Sequence, residues 1–359
     1  MSILPSSPRH THVENRIDVL QLGRGIAALL VVFYHVSLLF KQKLGSELYW
    51  DVSHFGQLGV NFFFVLSGFI ILLAHHKDIG KPKKVVKYIQ KRLIRIYPIY
   101  WVCFAVYICA AALGIGEPDF QWSFAQLFSA FTLVHWVPLD GGLPLHVAWT
   151  LFFEIMFYAL FISFIINFYL GIAVFAIWLC AMIFGLNADL GSGTMIAQFA
   201  SIWGVNFILG MLAYVIYRVA PDKLSYVFLA IGIGLLATFI SRYNYDGYDA
   251  FKAIFYDSTA LLACSFSFIL LGLVMLERLY KCKVNAVFVF LGNASYSIYL
   301  AHSMVVSLGI ILIKKMHLEI YLNNLFGFWL VLIAAVVLTC ILHVIVERPM
   351  FSILRKIAK

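Results

Sequence analysis

Charge is what this sequence has least of. Only 12% of its 359 residues are Asp, Glu, Lys or Arg, against 63% hydrophobic, and the mean hydropathy is +0.93. No soluble domain of this length needs so much apolar surface, which excludes the soluble enzyme classes and leaves a polytopic membrane protein. No polar stretch is long enough to fold as a separate soluble domain. Acidic residues number 17 against 26 Lys and Arg, a formal net charge of +9. That excess is not a nucleic-acid footprint, because the basic residues lie in short loops between apolar runs. Cysteine is sparse too: Cys103, Cys109, Cys180, Cys264, Cys282 and Cys340 show no CxxC spacing. Neither a disulfide framework nor a zinc site is indicated, and no metal is expected. Low-complexity segments are missing, as is the internal repeat that marks many secondary transporters. The first twenty residues lack the apolar core of a cleavable signal, so the first span is expected to be retained.

What is present is an all-α pattern of about ten transmembrane helices, at 19–40, 57–75, 96–114, 147–168, 171–187, 197–217, 225–241, 254–276, 286–312 and 324–346. The stretch from Lys77 to Arg95 holds eight Lys and Arg, which makes it cytoplasmic by the positive-inside rule. Both termini are then cytoplasmic: segments 1–18 and 347–359 flank a membrane domain over 19–346. Alternation from that anchor puts 20 of the 26 Lys and Arg inside and 6 outside. The longest outside loop, roughly 115–146, is aromatic, and its middle from Phe124 to Val134 reads as an interfacial or re-entrant helix.

The informative residues are polar ones inside apolar helices. Arg24 and His35 share the first span, eleven residues apart, hence on one face with about 16 Å of helix axis between them. Intramembrane ionisable groups usually face a protein interior or a water-filled cavity. The competing reading has Arg24 snorkelling to headgroups and His35 as a satisfied core histidine. In the second span Asn61 and Ser67 are the polar points, and Ser67-Gly68 lets another helix approach closely. Arg92 and Arg95, at i and i+3, suit a phosphate-bearing ligand, or else anchor the helix to anionic lipid. Glu154 sits about 12 Å in from His146 and needs a partner or a proton. It could orient His35 as a carboxylate orients a catalytic imidazole, or form a buried ion pair with an arginine. Ser295, Tyr299 and His302, at i, i+4 and i+7, form a polar stripe that suits a cavity lining. His75-His76 reads as interfacial rather than metal-binding.

Together these residues resemble the integral-membrane acyltransferase type 3 family, membrane O-acyltransferases that decorate bacterial surface glycans. The likeness rests on Arg24-x10-His35, Gly59-Val60 through Ser67-Gly68-Phe69, and Arg92-x-x-Arg95-Ile96-Tyr97-Pro98. Trp149-Thr150-Leu151-x-x-Glu154, Ser295-Tyr296-Ser297-Ile298-Tyr299-Leu300-Ala301-His302 and Glu347-Arg348-Pro349 continue it over almost the whole chain. Asn61 departs from a common aspartate, Thr150 from a common serine, and His146 heads its motif where small residues are frequent. The Trp-Thr-Leu-x-x-Glu form leans to the exopolysaccharide branch, and the esterase-like domain fused to some relatives is not expected here.

The resemblance implies transfer of an acyl group, commonly acetyl, from cytoplasmic acetyl-CoA or another acyl-CoA to a hydroxyl. The acceptor would be a glycan or lipid-linked sugar on its way out of a bacterial inner membrane. Expected partners are acyl-CoA, the glycan and membrane lipids, with no nucleic acid; a homo-oligomer or polysaccharide-assembly proteins are further candidates. His35 is the expected base or acyl acceptor, Glu154 its orienting group, and Arg24 the residue that positions the donor and stabilises developing charge. Arg92, Arg95 and Tyr97 are expected with Arg24 around the coenzyme. Asn61, Ser67, Trp149, Ser295, Tyr299 and His302 are expected around the substrate. The rivals are a transporter or flippase for a polar or anionic substrate, with the same stripe as its pathway, and a catalytically silent scaffold in a polysaccharide-export complex.

Overall fold

The computed structural model of the protein describes residues 17–115, 123–137, 143–186, 188, 190, 194–317 and 324–357, with backbone alone for 244–257 and 324. Among the described residues all regular structure is helical, and ten stretches are long and apolar enough to cross a membrane. Each overlaps one expected from the sequence. The helices used below are α1 (Asp18–Leu44), α2 (Gly59–His75), α3 (Val85–Ala112), α4 (Phe124–Thr132), α5 (Trp149–Ile166), α6 (Phe168–Gly185), α7 (Gly204–Val219), α8 (Ser225–Tyr280), α9 (Ala286–Lys315), α10 (Asn324–Leu342) and α11 (Arg348–Ile357).

Helix ends follow from local chemistry. The first backbone N–H groups of α1, at Asp18 and Val19, donate to the two carboxylate oxygens of Glu277, each at 2.8 Å. A remote carboxylate thus supplies the cap that the local sequence lacks, with the favourable sign for a helix N-terminus. The other end stops at Gly45, whose φ of +66° is the left-handed turn that glycine adopts without penalty.

Packing fixes the order of the bundle. Residue 25 of α1 lies against residue 292 of α9, and His35 lies against His302, so these two helices run the same way. Spans one and nine must do so if spans alternate. A Cβ on Gly292 would meet Gln21 O at 2.1 Å, so the two backbones touch. α2 and α7 are also parallel, with Phe64 against Trp203 and Phe69 against Tyr214 and Tyr217, and equally close where they cross: a Cβ on Gly68 would sit 2.1 Å from Phe207 O, and one on Gly210 would sit 1.9 Å from Val65 O. The close approach expected at Ser67-Gly68 is therefore made by α7. The long helical stretch α8 doubles back on itself, since Ser265 Oγ donates to Gly232 O at 2.8 Å and the Tyr226 and Tyr280 hydroxyls meet at 2.6 Å. Its two arms are spans seven and eight.

Aromatic residues from α2, α5, α6 and α7 fill the larger core around Phe64, Phe157, Trp178 and Phe207. A second core joins α1, α9 and α10 around Val32, Ile298 and Phe328. Outer faces stay apolar where they are uncovered, as at Ile177, Ile183, Ile333 and Leu338, which is what lipid requires.

Four local readings are sharpened. α3 begins at Val85 rather than 96, so the basic run that was read as a loop is largely helical. The segment between spans seven and eight is helical backbone. A helix does occupy Phe124–Thr132, inside the stretch singled out in the long loop. The expected tail from 347 begins inside the bundle: Glu347 is buried and closes a π-helical turn, His343–Glu347. Pro349 cannot donate to the carbonyl of residue 345, which accounts for a break in the α-helical ladder at this point.

Candidate active site

A cavity of about 890 Å³, counted out to its open side, lies among α1, α2, α3, α5 and α9. Arg24, Arg92 and Arg95 line it together with Glu154 and the hydroxyls of Ser67, Thr150, Tyr158, Ser295, Tyr296 and Tyr299. Val60, Phe63, Phe64, Leu66, Ile70, Ile96 and Leu151 complete the wall. Three cations against one carboxylate make this an anion-seeking space inside an apolar bundle.

Each cation is held differently. Arg24, nearly two turns above the capped start of α1, makes no hydrogen bond or ion pair among the described residues; its charged neighbours are Arg95, Glu347 and Glu154. Arg92 donates to His75 Nε2 at 2.9 Å, and His75 Nδ1 in turn donates to Asp78 at 2.9 Å. The guanidinium also lies over the rings of Tyr88 and Tyr158, while its Nε is buried with no partner. His75, read from the sequence as interfacial, is 1% exposed and orients this arginine. Arg95 is paired with Glu347 at 3.3 Å and lies over Tyr296. Glu347 also accepts from Ser297 Oγ and from His343 Nδ1, both at 2.6 Å. Behind Arg95, then, stands a buried carboxylate with three donors.

Glu154 belongs to this cationic cluster and not to His35. It accepts from Tyr158 OH at 2.5 Å and from Ser67 Oγ at 3.4 Å, and Arg24 lies in its field. This corrects the expected pairing of Glu154 with the imidazole. A carboxylate in a low-dielectric interior gains far more from neighbouring guanidiniums than from a neutral ring.

The imidazole has another partner. His35 Nδ1 lies 2.9 Å from Val31 O and 3.2 Å from His302 Nε2, and His302 Nδ1 lies 3.0 Å from Ile298 O. Carbonyl oxygens only accept, so each Nδ1 carries the proton. His35 Nε2 is left as a bare acceptor that no protein group fills among the described residues. Between this pair and the cavity stands Tyr299, whose hydroxyl meets Thr150 Oγ1 at 2.9 Å and Val147 O at 3.1 Å. Tyr299 lines the cavity on one side and faces the His302 ring at 6.1 Å on the other.

Of the residues expected around ligands, Arg24, Arg92, Arg95, Ser67, Ser295, Tyr299 and Glu154 come together at the cavity. Ser295 is 1% exposed and its hydroxyl has no partner among the described residues, a donor held in reserve. Four do not line it. Tyr97 donates its hydroxyl to Thr132 O at 2.6 Å and so pins α4 to α3. Asn61 is fully buried between α2 and α7, with its amide 3.5 Å from Asn206. Trp149 packs edge-on against Trp203, Phe153 and Phe64. His302 is not a lining residue either; it backs His35.

Sequence reasoning left Tyr158 unassigned, read His75 as interfacial, and quoted Ser297 and Glu347 only inside motifs. Two signals were available: Tyr158 follows Glu154 by four residues, one helical turn, and Glu347 is a carboxylate at the end of the most apolar span.

An acyltransferase domain model, that of the type 3 acyltransferases, matches residues 17–346. The exopolysaccharide production protein ExoZ of Rhizobium meliloti is 27% identical over 306 residues, covering 82% of this chain and 89% of its own. A provisionally named acetyltransferase of Acidianus two-tailed virus, ORF330, is 28% identical over 316 residues, covering 82% of this chain and 85% of its own. A provisionally named O-acetyltransferase of Staphylococcus aureus strain COL is 26% identical over 321 residues, covering 79% of this chain and half of its own. No solved structure matches. Because that domain match runs over 17–346, and the described residues include ten helices long and apolar enough to cross a membrane, the chain belongs to the type 3 acyltransferase family of multi-pass membrane O-acyltransferases.

Proposed function

We propose that this chain transfers an acetyl group from acetyl-CoA to a hydroxyl of an exported polysaccharide or its lipid-linked precursor, in a bacterial inner membrane. The arginine cavity and both termini face the cytoplasm in this reading, because the lysines between α2 and α3 crowd that side. The observation that carries it is the alignment of two sites along the α1–α9 seam: a cavity with an unpartnered Arg24 at one end, and His35 with a bare Nε2 about 16 Å further along. That separation is close to the reach of a pantetheine arm. Phosphates held at Arg24 and Arg92 would leave the thioester near the histidines. Arg92 Nε and Ser295 Oγ, both buried without partners, are donors waiting for acceptors such as phosphate or amide oxygens. The name of the Rhizobium relative supports a polysaccharide acceptor.

In the chemical step His35 Nε2 takes the proton of the acceptor hydroxyl as its oxygen attacks the thioester carbon. The carbon–sulfur bond then breaks, and the departing thiolate receives that proton from His35. The sum is an ester and free CoA thiol, with the imidazole restored. Arg24 and Arg92 hold the donor and offset its negative charge. The test supplies acetyl-CoA and candidate glycans to purified protein and follows free thiol, with folded His35→Ala alongside. Acceptor-dependent release in wild type that disappears in the variant is expected. Release unchanged in folded His35→Ala overturns the assignment.

A further inference from the structure

The seam between α1 and α9 holds a feature that acyl transfer by His35 alone does not use. His302 is fully buried, and its ring lies 4.9 Å from that of His35, inclined by 61°. Its Nδ1 proton is committed to Ile298 O, one helical turn back, so its Nε2 presents a lone pair. That lone pair faces His35 Nδ1 at 3.2 Å. The His35 Nδ1 proton is shared between Val31 O, at 2.9 Å, and this nitrogen. A second proton on His302 would have to sit on Nε2 and point at another N–H. The contact therefore keeps His302 neutral while His35 gains and loses a proton on its far side. The other titratable group acting on His35 is His146, at the start of α5; no carboxylate bonds to either ring among the described residues.

We propose that His302 is the positioning residue of the proton-transfer site. It accepts from His35 Nδ1–H, holds that ring with Nε2 toward the acceptor, and draws charge off the imidazolium when Nε2 is protonated. This rests on the reading of His35 as the general base. A carboxylate usually fills this place in hydrolytic triads. In a dry helix seam a neutral imidazole has the advantage that it brings no charge to desolvate when the base is neutral. The price is a weaker acceptor, and Val31 O compensates by sharing the same proton.

Two measurements test it. Nitrogen NMR of wild-type protein carrying labelled histidine, with the two rings assigned through His35→Gln and His302→Gln, reads the tautomers directly. Both rings are expected as the Nδ1–H form; an Nε2–H form at His302 overturns the proposal, whatever the activity. Steady-state kinetics then compare folded His302→Leu, which offers no acceptor, with His302→Gln, whose amide oxygen can take the place of Nε2. We expect kcat of the Leu variant to fall about 10- to 100-fold with both KM values within twofold, and the Gln variant to recover most of that loss. Wild-type kcat in the Leu variant, a loss confined to the acceptor KM, or a folded Gln variant no better than Leu each overturns it. Wild-type thiol release in the same assay separately reports on acyl transfer, so failure of that reading and failure of this one are distinguishable.

Discussion

Glu347→Gln probes whether the buried carboxylate behind Arg95 is a working part of the cavity wall. The substitution keeps the volume and one acceptor oxygen but removes the charge. In the wild type, Ser297 Oγ and His343 Nδ1 each donate at 2.6 Å and Arg95 at 3.3 Å. A glutamine cannot satisfy all three: its oxygen either keeps Ser297 and His343, turning the NH2 toward Arg95, or keeps Arg95 and opposes His343. The first orientation leaves a donor–donor contact with Arg95, and the second obliges His343 to move its proton to Nε2 and accept at Nδ1. Charge-assisted bonds contribute roughly 1.5–3 kcal/mol each. The Arg95 arm is worth less than that, because its side chain is 27% exposed and partly screened. Together the loss is about 2–4 kcal/mol. The assay is a double-mutant cycle with Arg95→Gln, followed by unfolding in detergent. If the two residues work as a pair, Arg95→Gln costs less in the Glu347→Gln background than in wild type, with a coupling of about 1–2 kcal/mol. Additivity within about 0.5 kcal/mol refutes the reasoning.

The remaining predictions concern other parts of the same framework. Arg92→Gln should raise KM for the acyl donor about 10- to 100-fold, the loss of one charge-assisted phosphate contact, and His75→Ala should raise it less, since His75 only orients the guanidinium; initial-rate titrations against donor decide. Glu154→Gln should act on the donor KM and leave the His35 tautomer unchanged by nitrogen NMR, because its partners are Tyr158 and Ser67 rather than the imidazole. Gly210→Val should abolish folded protein, as its first side-chain carbon alone would lie 1.9 Å from Val65 O, whereas Gly234→Ala, with open space around it, should leave yield and melting temperature unchanged or slightly raised. Tyr97→Phe should cost about 1 kcal/mol of stability from the lost bond to Thr132 O with the donor KM within twofold, as read from melting and kinetics side by side.

The ten spans were legible because bilayer thickness converts directly into runs of apolar residues, and the count survives errors of several residues at each end. The cavity residues were legible for a related reason: a polar side chain in an apolar helix needs a purpose, and Arg24, Glu154, Ser295 and Tyr299 all stand out against their neighbours. What the sequence could not convey is azimuth. Asn61 and Trp149 are as conspicuous as Ser67 and Thr150, yet they stand about 120° and 100° round their helices from those residues, in the α2–α7 contact and an aromatic cluster. Tyr97 follows the arginine pair by two residues, which turns it about 200° away from Arg95, onto α4. Partners across long sequence separations were hidden for the same reason: nothing in a linear reading joins Glu347 to Arg95, Glu277 to the start of α1, or His302 to His35.

The division of labour between the acids and the imidazoles follows from the medium. A carboxylate inside the bundle is tolerable only beside cations, so Glu154 and Glu347 both gather where the three arginines are. In the proposed reading those arginines have reason to stand near the membrane edge, where a polyanionic donor could reach them without crossing hydrocarbon. In the proposed reaction the base, which must be uncharged for most of its cycle, has the opposite need. His35 sits about 16 Å along α1 from Arg24, in the field of His146 and beside the neutral His302, with no acid bonded to it. An acid placed against it there would be a permanent buried charge, paired only during the moment of proton transfer. Separation of the charged cavity from the neutral histidine pair is thus a physical requirement of the bundle, with Tyr299 and Thr150 as the polar layer between them. In the proposed reaction the acyl group, small and uncharged, is the part of the donor suited to pass that layer.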